Sequence, residues 1–150
     1  MTVLNHRGGV SVSRLLGLDY GKKRIGLALS DPLGMFATGL VTVEGRSEAD
    51  RLSQVVAVVR EHEVGHVVVG LPMRTDGGQG ALVPDIRKFI KRLQAEVPVG
   101  VSWEDERYTS QVAEQALRAA GKKPSRDKGL VDKTAAALIL QQYLDRLSAT

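Results

Sequence analysis

Apolar residues follow two different rhythms along this chain. Leu15 to Leu18 form a short continuous run that ends at Asp19 and Tyr20; beyond Gly21-Lys22-Lys23, Ile25, Leu27 and Leu29 alternate with other residues. Two such runs joined by a glycine-bearing turn predict a β-hairpin. Asp31-Pro32-Leu33-Gly34 is a second turn signal, and Gly39 to Val43 predicts a third strand, antiparallel to the second. The period then changes. Leu52, Val55, Val56 and Val59 fall at i, i+3, i+4 and i+7, the stripe of an amphipathic helix. Ser47 with Asp50 three residues later resembles a capping box at its start. Val67-Val68-Val69 is apolar on both faces, which suits a strand covered on both sides. Ile86, Phe89, Ile90 and Leu93 mark a second helix, and Val97 to Trp103 another strand with Pro98 near its start. Thr109 or Ser110 caps a third helix that ends before Gly121, where a C′ glycine belongs. A last helix begins near Val131 and carries Ala136, Ile139, Leu140, Tyr143, Leu144 and Leu147 on one stripe.

The order is three strands, then helix, strand, helix, strand and two helices. Strands joined by tight turns are antiparallel, and strands separated by helices are naturally parallel. The expected fold is therefore α/β: a mixed five-stranded sheet, three antiparallel strands followed by two parallel ones, with helices on both faces. Met1 to Arg14 is polar and aperiodic and reads as a flexible tail, leaving 15–150 as a single domain.

Composition narrows the function classes. The 150 residues are 43% hydrophobic and 25% charged, which excludes wholesale disorder. With no cysteine, disulfides, zinc ribbons, iron–sulfur clusters and thiol chemistry are excluded. No apolar run approaches a membrane span and 1–14 lacks the apolar stretch of a secretory signal, so the expectation is a cytoplasmic protein. Lys and Arg number 21 against 17 Asp and Glu, a net +4 that leans mildly toward a polyanionic partner.

Three carboxylates stand where local structure does not favour them. Asp19 shares a face of the first strand with Leu15 and Gly17, although aspartate is depleted in strands. The competing reading is a strand-end residue that binds turn amides, Lys22 or Arg24. Glu104-Asp105-Glu106 follows the last strand, at the end of a parallel sheet where ligands gather; alone, it reads equally as a solvated acidic turn partnered by Arg107. Asp132 lies four residues before Ala136, on the sheet-facing stripe if the helix already runs there, or as a cap if it does not. If the first strand is central, Asp19, Glu106 and Asp132 converge. Oxygen ligands without His or Cys companions select magnesium or manganese, and a pair of such cations clamps both oxygens in phosphodiester hydrolysis. His6, His62 and His66 show no metal spacing and read as structural or exposed.

Leu16-Gly17-Leu18-Asp19-Tyr20-Gly21, Arg24-Ile25-Gly26-Leu27-Ala28 and Ser30-Asp31 closely resemble the opening of the YqgF/RuvX family. Val69-Gly70-Leu71-Pro72 with Asp76-Gly77 matches its second motif, Asp105-Glu106-Arg107 with Thr109 its third, and Val131-Asp132 with Ala135-Ala136 its fourth. The resemblance runs in order from about Leu15 to Leu147. It implies an RNase H-like fold related to Holliday-junction resolvases, and a nuclease processing the 5′ end of the 16S rRNA precursor in ribosome biogenesis. Some members are described instead as junction resolvases. It also implies that Asp19, Glu106 and Asp132 are the catalytic, metal-binding carboxylates for Mg2+ or Mn2+, with Asp105 the less favoured member of its pair. Met73-Arg74-Thr75 stands where the family often has asparagine, and Gln79-Gly80-Ala81 where it commonly has glutamate, so loop contacts differ.

Nucleic acid, either rRNA precursor or branched DNA, is then the expected partner. Lys22, Lys23 and Arg24 on the hairpin, Arg107, and Lys122, Lys123, Arg126 and Lys128 in the basic 121–129 loop are the candidate phosphate contacts. Gly70 and Gly77-Gly78 either let a phosphate approach the backbone or serve turn geometry. Two other readings stand beside the nuclease: a non-catalytic nucleic-acid adaptor, and a phosphotransferase, since Gly17 to Gly21 also resembles the first phosphate loop of actin-like ATPases. Monomer and homodimer both remain open.

Overall fold

The computed structural model describes residues 2–4, 10–72, 80–106, 109–123 and 128–149. The stretch expected to be a tail contains two short strands, β1 (Thr2–Leu4) and β2 (Val10–Val12), paired antiparallel with each other and separate from the main sheet. The main sheet is built from β3 (Arg14–Tyr20), β4 (Arg24–Ser30), β5 (Ala37–Glu44), β6 (Val64–Leu71) and β7 (Gly100–Asp105). Its order is β5-β4-β3-β6-β7, with β3, β4 and β5 antiparallel and β3, β6 and β7 parallel. The strand that carries Asp19 is thus central, as its convergence with the other acids requires.

The helices are α1 (Glu48–Glu61), α2 (Val83–Glu96), α3 (Thr109–Ala119) and α4 (Lys128–Ser148). Ser47 caps α1, its hydroxyl accepting from the Asp50 amide at 3.1 Å. Gly121 ends α3 with φ +80°, a conformation costly to residues with a Cβ. Two boundaries differ from the sequence reading. Val97 and Pro98 precede β7, which starts at Gly100, where proline removes no ladder hydrogen bond. Helix α4 starts at Lys128, three residues before the expected start near Val131, so Asp132 lies inside the helix.

Two cores flank the sheet. Leu16, Leu18, Ile25, Leu27, Val67 and Val69 pack with α1 and α2 on one face. Leu15, Ala28 and Val68 pack with Ala136, Ile139, Leu140, Tyr143 and Leu144 of α4 on the other. On this second face α4 rests directly on backbone. A Cβ at Gly17 would lie 2.6 Å from the Ala136 carbonyl and 2.8 Å from Leu140 Cβ, and one at Gly26 would overlap the Asp132 carbonyl. At Gly39 it would lie 3.2 Å from the Lys133 carbonyl. Glycines on three adjacent strands therefore form the seat of α4. Beyond this seat, the Thr42 hydroxyl donates to the Gly129 carbonyl, tying the start of α4 to β5.

Candidate active site

The acids meet at the carboxyl end of β3. Asp19 is opposite Gly26 in the β3–β4 register, and Gly26 is the residue on which the Asp132 backbone rests. Asp19 and Asp132 are thereby brought to the same spot, on the face covered by α4. Glu106 arrives from the other side. Its amide donates to the Leu71 carbonyl at 3.0 Å, extending the β6–β7 ladder past Asp105. Its Oε2 sits 2.6 Å from where a Gly70 Cβ would be, so any larger residue at 70 would displace the carboxylate. Of the two roles open to Gly70, phosphate approach or turn geometry, the structure adds a third: room for Glu106.

The Asp19 and Glu106 carboxyl groups face each other closely enough that each perturbs the other. Burial, the Glu106 charge and then the Asp132 charge push the Asp19 carboxyl well above the ordinary carboxylate range. Burial also raises Glu106, with Asp105 adding repulsion. Asp132 faces Arg24, whose Nε is 2.7 Å from its Oδ2; the side chains are 30% and 22% exposed. Among the described residues, no three His, Asp or Glu side chains are gathered closely enough to hold a metal ion as they stand. Asp19 and Glu106 face each other, and Asp132 is neutralised by an arginine.

That arrangement fits a divalent cation in its chemistry. All donors are hard oxygens, the Asp19 and Glu106 charges oppose each other, and a cation would relieve that opposition and take the place of the guanidinium at Asp132.

The remaining candidates are less convergent. Lys22 and Lys23 are exposed in the β3–β4 turn, and Arg24 is committed to Asp132. Lys122 and Lys123 are exposed after α3, and Lys128 at the start of α4. Arg107, Arg126, His6 and the glycines at 77 and 78 lie outside the described residues. His62 ends α1. His66 is buried, with Nε2 2.7 Å from the Ser102 hydroxyl and its ring stacked on Tyr143.

Sequence reasoning gave Glu104 no role. It is almost fully buried, accepts from Gln142 Nε2 at 2.7 Å and is ion-paired with Arg146. It binds the far half of α4 to β7, the strand that leads to Glu106. Alternation along β7 carries the signal: Ser102, Glu104 and Glu106 are spaced by two, and all meet groups on the α4 side.

Comparison with known proteins identifies the family and the fold. The chain is 48% identical over 130 residues to the "Putative pre-16S rRNA nuclease" of Trichormus variabilis, covering 87% of this chain and 86% of that one. It is 44% identical over 134 residues to the protein of the same description in Moorella thermoacetica, covering 89% and 96%. Among solved structures, the fold resembles Thermus thermophilus RuvC in complex with a Holliday junction substrate, with a TM-score of 0.53, 18% identity and coverage of 90% and 96%. It also resembles the fowlpox virus resolvase bound to junction DNA, with a TM-score of 0.56, 12% identity and coverage of 89% and 98%. At such identities the likeness speaks for the RNase H-like fold. The family model described as "RuvX: Holliday junction resolvase" matches residues 13–146, and the chain belongs to that family.

Proposed function

We propose that the chain is a divalent-metal-dependent nuclease that hydrolyses phosphodiester bonds at the 5′ end of the 16S rRNA precursor. The observation that carries the chemistry is the placement of Asp19 opposite Gly26, on which the Asp132 backbone rests, with the Glu106 carboxylate facing Asp19, the three acids coming from elements far apart in sequence. The relatives' description supports the choice of RNA substrate.

Asp19 and Glu106 would hold the cation first, since both offer oxygen and both are relieved by added positive charge. Asp132 would join them if Arg24 released its Oδ2. When bound, magnesium or manganese acidifies water and offsets charge on the leaving oxygen. The protein's own contribution is positional. The central strand holds Asp19, the β6–β7 ladder holds Glu106, and the glycine seat holds Asp132. Arg24, once released, carries a bidentate donor set suited to a phosphate next to the reacting one.

The test compares wild type with Asp19→Asn and Glu106→Gln on a precursor 5′ end and on a four-way DNA junction, at one salt concentration, with Mn2+. The expected result is cleavage of the RNA by wild type and a loss of more than about 100-fold in either variant. A divalent-dependent rise in wild-type melting temperature, absent in Asp19→Asn, is the accompanying binding readout. Equal trace cleavage by all three proteins would leave a nucleic-acid adaptor. Cleavage of the junction alone would favour the DNA substrate named by the family description.

A further inference from the structure

The reading above uses Arg24 but not the surface on its other side. There, Lys23 and Arg24 from the β3–β4 turn and Glu44, Gly45 and Arg46 from the end of β5 line an open concavity. Arg24 and Glu44 are cross-strand partners in the β4–β5 register, which fixes the two rims against each other. Lys23 and Arg46 are exposed and make no ion pair among the described residues.

The interior beneath adds a second, independent observation. Arg51 on the first turn of α1 is buried, only 7% exposed, with Nη1 donating to the Gly45 carbonyl at 3.0 Å. Its Nε is buried without a hydrogen-bond partner, and no carboxylate among the described residues lies within ion-pair distance of it. Burying an unneutralised guanidinium is costly, and its field reaches the surface above through low-dielectric protein. Three acids lie near it. Glu44 is on the rim, the Asp50 carboxylate packs on Gly45, and Glu48 shares the surroundings of Tyr20 with Arg51 and is ion-paired with Arg92. Arg24 is shared with Asp132. Lys23, Arg24, Arg46 and Arg51 thus stand over or under this concavity, with Arg24 and Glu48 already engaged elsewhere.

We infer that this concavity is a phosphate subsite for the nucleic-acid strand, in which Lys23 and Arg46 hold a phosphodiester group flanking the one that reacts. The inference rests on the nuclease reading and deepens it. Arg24 links the two places: its guanidinium bonds Asp132 on one side and its side chain lines the concavity on the other. A strand whose reacting phosphate lies at Asp19 would run past the β3–β4 turn and place a neighbouring phosphate there. The β5–α1 junction would then be part of the substrate surface, a segment to which no motif in the sequence assigns a role.

The test measures binding of a fluorescein-labelled RNA hairpin with a single-stranded 5′ extension by anisotropy in EDTA, across a potassium chloride series. Wild type is compared with Lys23→Ala/Arg46→Ala and with Lys88→Ala/Lys91→Ala, which removes equal charge from the exposed side of α2. Melting by circular dichroism checks that each variant folds. Losing the contacts to one phosphate lowers the slope of log Kd against log salt by about 0.7, so a fourfold rise in salt should weaken this variant roughly 2.6-fold less than it weakens wild type. The α2 variant should keep the wild-type slope. With Mn2+ present, the Lys23/Arg46 variant should show a raised KM for the same RNA. An unchanged slope in that variant, or an equal fall in both, would overturn the subsite while wild-type cleavage still upheld the nuclease. Absence of cleavage by wild type would strike at the nuclease itself.

Discussion

The seat of α4 makes a demanding prediction at Gly26. A methyl group there would overlap the main-chain carbonyl of Asp132. At Gly17 the same change is milder: the new Cβ would lie 2.6 Å from the Ala136 carbonyl, about 0.8 Å short of the 3.4 Å at which ordinary contact begins. In both cases the obstacle is backbone, so no side-chain rotation relieves it; the helix must lift or slide. Overpacking of this kind costs about 1–3 kcal/mol. Gly17→Ala should fall within that range and Gly26→Ala at its upper end or beyond. For a chain of this size each kcal/mol lowers the melting temperature by roughly 2–4 °C. Urea unfolding followed by Trp103 fluorescence gives the stabilities. Cleavage of a precursor 5′ end, measured where both variants are fully folded, gives the functional cost. Gly26→Ala should lose far more activity than Gly17→Ala, because the displaced residue is Asp132 itself. A Gly26→Ala protein with wild-type midpoint and wild-type cleavage would refute the claim that the helix backbone rests on this strand.

Three further outcomes follow from contacts already described. Arg146→Ala leaves the Glu104 carboxylate buried; because Arg146 is 60% exposed and screened, the loss should be about 1–3 kcal/mol rather than that of a fully buried pair. Glu104→Gln should cost less and should partly rescue Arg146→Ala in urea titrations; additive losses would exclude the anchoring role. Burial lowers the His66 pKa from 6.5, so the folded state binds fewer protons than the unfolded one. Stability therefore rises with pH up to about 6.5 and is lost as pH falls below it. His66→Gln should flatten that limb, and parallel profiles for the two proteins would contradict it. Arg24→Gln frees Asp132, so half-maximal thermal stabilisation should require less Mn2+ than in wild type; an unchanged midpoint would mean that Arg24 does not compete for the carboxylate.

What the sequence disclosed was mostly local. The hairpin, the Ser47 cap, the Gly121 terminus and the α4 stripe are all set by residues within a few positions of one another. The antiparallel and parallel blocks of the sheet followed from turn lengths and helix crossovers, whereas the central place of β3 stood only as a condition that the structure supplied. The acids 19, 106 and 132 stood out because each sat in a poor local setting, and the family resemblance tied them together. Features that depend on distant partners were not legible. Gly17, Gly26 and Gly39 look like ordinary strand glycines until α4 is laid across them. Glu104 looks like one of three solvated acids, although its partners are 38 and 42 positions further along. Arg51 stands four residues before Val55, on the buried stripe of α1, and its guanidinium lies under the Gly45 carbonyl. Spacing places such a charged residue on a buried face, as it does Glu104, but its partners appear only in three-dimensional contact.

Drawing Asp19, Glu106 and Asp132 from β3, the end of β7 and α4 also makes their grouping depend on the intact fold. Should any one of these pieces come loose, as happens in partially denatured or half-degraded molecules, the others retain no complete set of acids. Whatever chemistry the set performs would then be lost before the chain itself is.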